Sequence, residues 1–530
     1  MAARHQQYAH PQTPGTPTLD YLTRILNAKV YDVAVETSLD HARVLSARID
    51  NKVLIKREDQ QPVHSFKLRG AYNKMAHLPA KQLRAGVVTA SSGNHAQGVA
   101  LSAQKLGVEA TIVMPKTTPA IKVDAVRARG AKVELHGESY SDSYEYAQKL
   151  VKKTGKAFIH PYDDPDVIAG QGTIGMEILR QHQGDIDAIF VAVGGGGLIS
   201  GIAAYVKAVR PRIKIIAVEP ADQAAMTESL KAGKRITLST VGLFAEATAV
   251  KQVGVETFRL CQQYVDDTVL VSNDEICAAI KDVYTDCRAI LEPGGAVAIA
   301  GLKKYAEKHR SHSKTYVAVA CGSNMNFDRL RFVAERAMVG ESREAVLAVT
   351  LPEKPGSFRA LCDVLGPRSV TEFNYRFAGG SNAHIFFGVE IAQKREIAKL
   401  MREFKRAGMR AVDLTENEMA KLHLRHLVGG HAPGARGERV FRFDFPERPG
   451  ALANFLRVMH SGWNITLFHY RNHGSDVGRV LAGIQVPKID NANLDEFLQR
   501  IAQMGYAWVE ETDNVAYKFF LGMNQEQSIS

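Results

Sequence analysis

At 530 residues, 45% hydrophobic and 23% charged, the chain has an ordinary soluble globular composition and is too long for one core, so about two to four domains are expected. Its formal net charge of +11 comes without a run of five or six basic residues or an aromatic-studded basic helix, which argues against nucleic acid and membrane and leaves small anionic ligands. Five cysteines, an odd number with no C-x-x-C pair, argue against a disulfide framework and a thiolate zinc site and point to a reducing compartment, the cytoplasm.

Residues 1–20, which include MAARHQQYAHPQTPGTPT, carry three prolines and no apolar core for a secretory signal, and read as a flexible tail. From about residue 53 to 330, short β-branched runs alternate with amphipathic stretches ending in glycine. VLIK, GVVTA, EATIVM, AKVEL, IFVAV, IIAVE and YVAVA read as buried strands. NHAQGVALSAQKLG, AIKVDAVRARG and DEICAAIKDVYTDC between them read as helices, which predicts βαβ units on parallel sheet, an α/β fold with its sites at the carboxyl ends of strands. The uncharged segment AIFVAVGGGGLISGIAAYV, 188–206, is long enough to imitate a membrane span. Its four consecutive glycines, each costing about 1 kcal/mol inside a helix, favour a strand, a glycine loop and a buried helix instead.

Beyond residue 345 the pattern repeats itself. LPEKPGSFRALCDVLG at 351–366 is echoed by FPERPGALANFLRVMH at 445–460, EFNYR at 372–376 by LFHYR at 467–471, and FFGVEI by LAGIQV. Each copy reads as a strand, a Pro-Gly turn, an amphipathic helix and further strands, giving two α+β modules over 346–420 and 440–522. HLVGGHAPGARGE, 426–438, is the linker, and its histidines, with His423, decorate a loop or helix face without a metal.

Three stretches can carry chemistry. In HSFKLRGAYNK, Lys67 follows Ser65, a candidate helix N-cap; the helix dipole disfavours its ammonium form by about 0.3–1 kcal/mol and burial adds to that, as a Schiff-base lysine requires. A snorkelling surface lysine is the plainer alternative. In TASSGNHAQGVA, a strand end runs through Ser91, Ser92, Gly93, Asn94 and His95 into a helix whose first N–H groups suit a carboxylate or phosphate, or simply cap the helix. In VAVGGGGLISG, Gly194, Gly195, Gly196 and Gly197 fail the dinucleotide fingerprint and lack the P-loop lysine, leaving a glycine nest for one phosphate or a tight turn.

Taken together, SFKLRGA, SSGNHAQG, the tetraglycine loop and ACGSN resemble the fold-type II pyridoxal-phosphate enzymes, with two parallel-sheet lobes. DDPDVIAGQGTIGMEI, VGLFAEATAV and LEPGGA narrow the resemblance to the biosynthetic threonine deaminases, and the duplicated module is similar to their two ACT-like regulatory domains. The resemblance implies a pyridoxal 5'-phosphate-dependent catalytic domain over 21–335 acting on L-threonine and, less well, L-serine. It implies that Lys67 joins the cofactor covalently and then removes the α-proton, that Asn94 touches the ring hydroxyl, and that Gly194 to Gly197 hold the phosphate. Phe66, Leu198 and Cys321 complete the implied cofactor site, and Ser91, Ser92, Gly93 and His95 the substrate site.

Three residues depart from the family pattern. Cys321 stands where serine often faces the pyridine nitrogen, and a thiol is a weak neutral partner there. Ala247 replaces a glycine, which matters if that position needs positive φ. Ser92 resembles the second-face hydroxyl of serine racemases, but of their acidic metal ligands Glu219 matches while Ala225 replaces an aspartate, so no metal is expected. The resemblance further implies a homotetramer with isoleucine as feedback effector and valine opposing it, with Tyr375 and Tyr470 in equivalent places to pack on a branched side chain or, alternatively, to fill the module's own core. A broader serine/threonine dehydratase, a racemase, and a silent amino-acid sensor are the competing readings.

Overall fold

The computed structural model describes residues 20–377, 381–417, 420–421, 424–426, 429–432, 434–435, 437–446, 455, 463–471, 477–485, 498–500, 502, 507–514, 517–518 and 521. Residues 1–19 of the expected tail, the Pro-Gly turn and helix of the second repeat at 447–460 except Phe455, and His423 of the linker region lie outside these. The chain divides into two compact units between Ala337 and Met338.

The first unit holds two sheets. One runs Leu39–His41, Lys52–Arg57, Thr315–Ala320, Ala188–Ala192, Lys214–Pro220, Asp267–Val271 from edge to edge. Its strands are parallel except for the antiparallel edge strand Leu39–His41. The other is parallel throughout, in the order Lys132–Leu135, Ala110–Met114, Val87–Ala90, Ala157–Phe158. Seven of these strands coincide with the predicted β-branched runs. Because helices cover both faces, central strands such as Ala188–Ala192 and Ala110–Met114 are buried along their whole length and read as apolar runs without alternation.

Local chemistry starts the helices. Ser139 with Asp142 and Ser272 with Glu275 form reciprocal capping boxes ahead of Tyr140–Thr154 and Asn273–Cys287. Asp164 caps Pro165–Gln181, whose first residue is proline. The segment 188–206 resolves into the strand Ala188–Ala192, the glycine loop and the buried helix Gly197–Val209. Among the described residues no helix is long and apolar enough to cross a membrane.

The second unit is built on one eight-stranded antiparallel sheet. The order is Arg410–Asp413, Glu344–Pro352, Asn382–Glu390, Val370–Arg376, Asn464–Arg471, Val477–Gln485, Glu438–Pro446, Ala507–Glu510. The sequence repeat makes this order a palindrome, each strand of the first copy mirrored by its counterpart. At the seam Asn374 pairs with His469, flanked by Phe373 opposite Tyr470 and Tyr375 opposite Phe468. Since EFNYR and LFHYR align position for position, that register is a local two-fold axis through Asn374 and His469. The first copy also has a helix absent from the predicted pattern, Arg395–Arg406, which buries Ile397, Leu400 and Phe404.

Candidate active site

Lys67, Ser91, Gly194 and Cys321 all follow the carboxyl ends of strands, so parallel topology delivers the three predicted stretches to one end of the first unit. Lys67 opens the helix Lys67–Ala76. The expected N-cap is corrected: Phe66 occupies that position, while Ser65 forms a bridge with Gly322 and its Oγ is buried without a partner. The bridge pulls this segment onto the strand end carrying Cys321, whose carbonyl accepts from the Phe66 N–H at 3.3 Å.

The Lys67 amine donates to the Pro161 carbonyl at 2.9 Å. Burial, opposed by the charges of Cys321 and Glu292, lowers its pKa from 10.5 to about 8. The lysine is therefore half-buried and poised to lose its proton, and the snorkelling alternative falls.

Pro161 leads to the glycine loop through the next residue. A Cβ at Gly195 would lie 2.2 Å from the Tyr162 ring, and one at Gly197 2.9 Å from the Tyr162 carbonyl. Gly196 has φ +97°, which L side chains rarely adopt. The loop is thus glycine because Tyr162 packs against it and the chain turns left-handed there. Its amides lead into Gly197–Val209, where first-turn N–H groups have no helical acceptor. Thr257 Oγ1 donates to the Gly195 carbonyl at 2.7 Å, which fixes the loop from its carbonyl side.

On the facing wall the helix Asn94–Leu106 presses onto the start of the Lys67 helix, since a Cβ at Gly98 would lie 3.0 Å from the Leu68 N. Ser91, Ser92 and Gly93 are partly exposed, and a Cβ on Gly93 would meet open space. The Asn94 side chain is held at both ends, donating to Glu292 Oε1 at 2.5 Å and accepting from Asn324 at 2.7 Å. His95 is placed differently from expectation. Its Nε2 is 3.0 Å from the Ile159 carbonyl and must donate, while Nδ1 is buried without a partner and burial lowers the imidazole pKa to about 3. The neutral ring has no N–H left for a carboxylate, so only the His95 backbone amide remains available to one.

Phe66 and Leu198 are buried beside the site, and Lys67 Nζ lies 5.2 Å from the Phe66 ring centroid. Burial raises the Cys321 thiol above its ordinary range, and the S–H points to the Gly294 carbonyl at 3.3 Å. Ala247 sits in a short 3-10 turn and is absent from the non-glycine residues with positive φ, so its side chain costs the loop nothing. Glu219 is a structural cap, accepting from the N–H groups of Met226 and Thr227 at 2.9 and 2.8 Å and from the Thr227 hydroxyl at 2.6 Å. Glu292, Tyr162 and Asn324 were not singled out from the sequence; the signal for Glu292 was an acidic residue directly before Pro-Gly-Gly in LEPGGA.

In the second unit both tyrosines lie in the core, at 3% and 8% exposure. Tyr375 packs edge-on to Phe358 at 4.8 Å and donates its hydroxyl to Glu353 Oε1 at 2.7 Å.

An amine held without a carboxylate in contact, a side-chain-free row of amides and a doubly anchored asparagine suit a phosphorylated aldehyde cofactor. Residues 30–322 match the family model of pyridoxal-phosphate dependent enzymes. Residues 335–424 and 429–521 match the C-terminal regulatory domain of threonine dehydratase. The chain is 60% identical over 505 residues, 95% of its length and 99% of the relative's, to the L-threonine dehydratase biosynthetic IlvA of Burkholderia multivorans. It is 50% identical over 506 residues to that of Escherichia coli, covering 95% of this chain and 97% of the relative. Among solved structures it is similar to the processed form of threonine deaminase isoform 2 from Solanum lycopersicum, at TM-score 0.59 and 53% identity over 60% of this chain and 87% of that one. Maize serine racemase follows at TM-score 0.56 and 32% identity over 59% and 96%. A pyridoxal-phosphate-type site with the regulatory repeat behind it in one chain, and relatives this similar over its length, place the chain in the biosynthetic threonine dehydratase family of pyridoxal-phosphate-dependent enzymes.

Proposed function

We propose that the chain is a cytoplasmic threonine ammonia-lyase that converts L-threonine to 2-oxobutanoate and ammonia, the first committed step of isoleucine biosynthesis, with L-serine a poorer substrate. The observation that carries this reading is the Lys67 amine, held by the Pro161 carbonyl next to the Tyr162 that packs on the glycine loop, with its pKa lowered to about 8 by burial. We assign 21–335 to catalysis, 346–420 and 440–522 to regulation, and 1–20 to a tail.

Lys67, Phe66, Asn94, Gly194 to Gly197, Leu198 and Cys321 would hold pyridoxal phosphate, which when bound supplies the electron sink for the carbon that loses its proton. The glycine amides and the dipole of Gly197–Val209 would hold its phosphate. The second amide hydrogen of Asn94 would be free for the cofactor's ring hydroxyl. The Cys321 proton is committed to the Gly294 carbonyl, so the thiol would be a weak, neutral neighbour for the cofactor ring. Ser91, Ser92 and the amides of Gly93 and His95 orient the substrate carboxylate. The Lys67 amine would act as the base that takes the α-proton; positioned transfer of this kind contributes about 10²–10⁴ in rate. The β-hydroxyl would take up the proton that Lys67 removed and leave as water, and hydrolysis of the resulting enamine by a second water gives the 2-oxo acid and ammonia.

The regulatory repeat supports an amino-acid effector, which we assign as isoleucine opposed by valine, with Tyr375 and Tyr470 in matching places beside the two-fold seam and with a homotetramer as the working assembly. The test measures ammonia and 2-oxobutanoate released from threonine and serine with and without isoleucine, and maps the lysine labelled by borohydride. No turnover, or a label away from Lys67, rejects the enzyme reading; turnover indifferent to isoleucine rejects the control.

A further inference from the structure

Glu292 stands directly before the helix Pro293–His309, at its N-cap, yet its side chain makes no capping bond. Instead it is buried, 8% exposed, and turned onto the Asn94 amide at 2.5 Å. Room for it is made by Gly322, where a Cβ would lie 2.5 Å from Glu292 Oε1 and 3.3 Å from Asn94 Nδ2. Asn324 closes the other end, donating to Asn94 Oδ1 at 2.7 Å and to the Val63 carbonyl at 2.8 Å. Helix capping therefore does not explain the carboxyl, and a relay Asn324 to Asn94 to Glu292 leaves Asn94 one N–H, in one fixed direction.

We propose that Glu292 is a positioning residue for the cofactor: through the Asn94 amide it fixes which hydrogen faces the cofactor's ring hydroxyl and transmits its own charge to it. The inference rests on the reading of Asn94 given above. The charged groups around Glu292 leave it without a counter-ion. Lys122 and Arg329 are both paired with Glu246. Lys67 and Cys321 interact with it across the site, Lys67 being the residue consumed by the cofactor and Cys321 a neutral thiol. Burial raises the carboxyl to about 7 against the Asn94 hydrogen bond, so its charge changes within the working pH range.

The full-length holoenzyme tests this by its visible cofactor absorption, followed from about pH 6 to 9. The wild-type band should shift with a midpoint near 7, the Glu292→Gln protein should keep its cofactor and lose the midpoint, and the same substitution should change nothing further in an Asn94→Ala background. Cofactor affinity should fall about tenfold or less, separating the effect from unfolding. If Glu292→Gln does not fold, Gly322→Ala, which crowds the carboxyl, should displace the midpoint instead. A midpoint that survives Glu292→Gln or is left unshifted by Gly322→Ala, or effects of Glu292 and Asn94 that simply add, overturns the proposal. A cofactor band that does not depend on Lys67 overturns the site reading as well, whereas a Lys67-linked band indifferent to Glu292 overturns this inference alone.

Discussion

The two faces of the helix Lys67–Ala76 carry buried cations two residues apart and treat them in opposite ways. At the front, Lys67 has a carbonyl for its partner. At the back, Arg69 is fully buried and forks onto Glu58 at 2.8 Å and Glu177 at 2.6 Å, while Lys56 meets Glu177 at 2.6 Å. Thr37, Gln61 and Tyr31 satisfy the remaining carboxylate lone pairs. Burial by itself is therefore not what readies an amine for chemistry. The same low-dielectric interior keeps the Arg69 guanidinium charged between Glu58 and Glu177 and lowers both amines, Lys56 against the pull of its carboxylate partners and Lys67 beside a carbonyl. Successive turns of about 100° put positions 67 and 69 on opposite sides of one helix, so anchoring and reactivity share an element without sharing partners.

The sharpest break of this contrast is Lys67→Met, which should lower threonine turnover by at least about 10²–10⁴-fold in an ammonia-release assay. A variant retaining a tenth of the activity would remove the front face from the chemistry. Arg69→Met should act on stability, leaving Glu58 buried without its ion-pair partner and Glu177 with Lys56 alone, at a cost of about 3–5 kcal/mol in urea unfolding. Gly195→Ala drives a methyl group into the Tyr162 ring; about 1–3 kcal/mol of overpacking should weaken cofactor binding roughly 5- to 150-fold by absorbance titration, with smaller loss at Gly194.

The smallest effect has the most telling sign. In cofactor-free protein Lys67→Met should be more stable than wild type by about 1 kcal/mol, the shift being discounted for partial exposure. Below pH 8 the lysine is protonated in both folded and unfolded chains, and the cost of its buried charge is fully present. Between the folded value of about 8 and the unfolded 10.5 the folded state has released its proton first, so wild-type stability rises with pH and the advantage of methionine disappears. An advantage that does not change across that window would contradict the lowered pKa.

Much of this was legible in the residues. The runs GVVTA, EATIVM and IFVAV became strands because an uninterrupted β-branched run has no other place to bury both faces. The glycine loop and the duplicated module stood out by local pattern. Less visible were Asp267–Val271 and Ala157–Phe158, a strand with polar residues at its start and a two-residue strand, each defined by its neighbour's hydrogen bonds. The Ser65 cap was misplaced because a distant bridge to Gly322 outcompeted local capping. His95 looked like a ligand to a carboxylate until Ile159 claimed its only N–H.

The amino-acid sequence alone singled out Lys67, the glycine loop and the internal repeat, because each rests on short-range chemistry: spacing, backbone freedom and hydrophobic period. Tertiary structure decided which buried charge is paired, which groups anchor the Asn94 amide and how the two repeats join across Asn374 and His469. Those outcomes depend on groups far apart in the chain, such as Asn94 and Glu292, whose desolvation and hydrogen bonding exist only after the chain has closed around them.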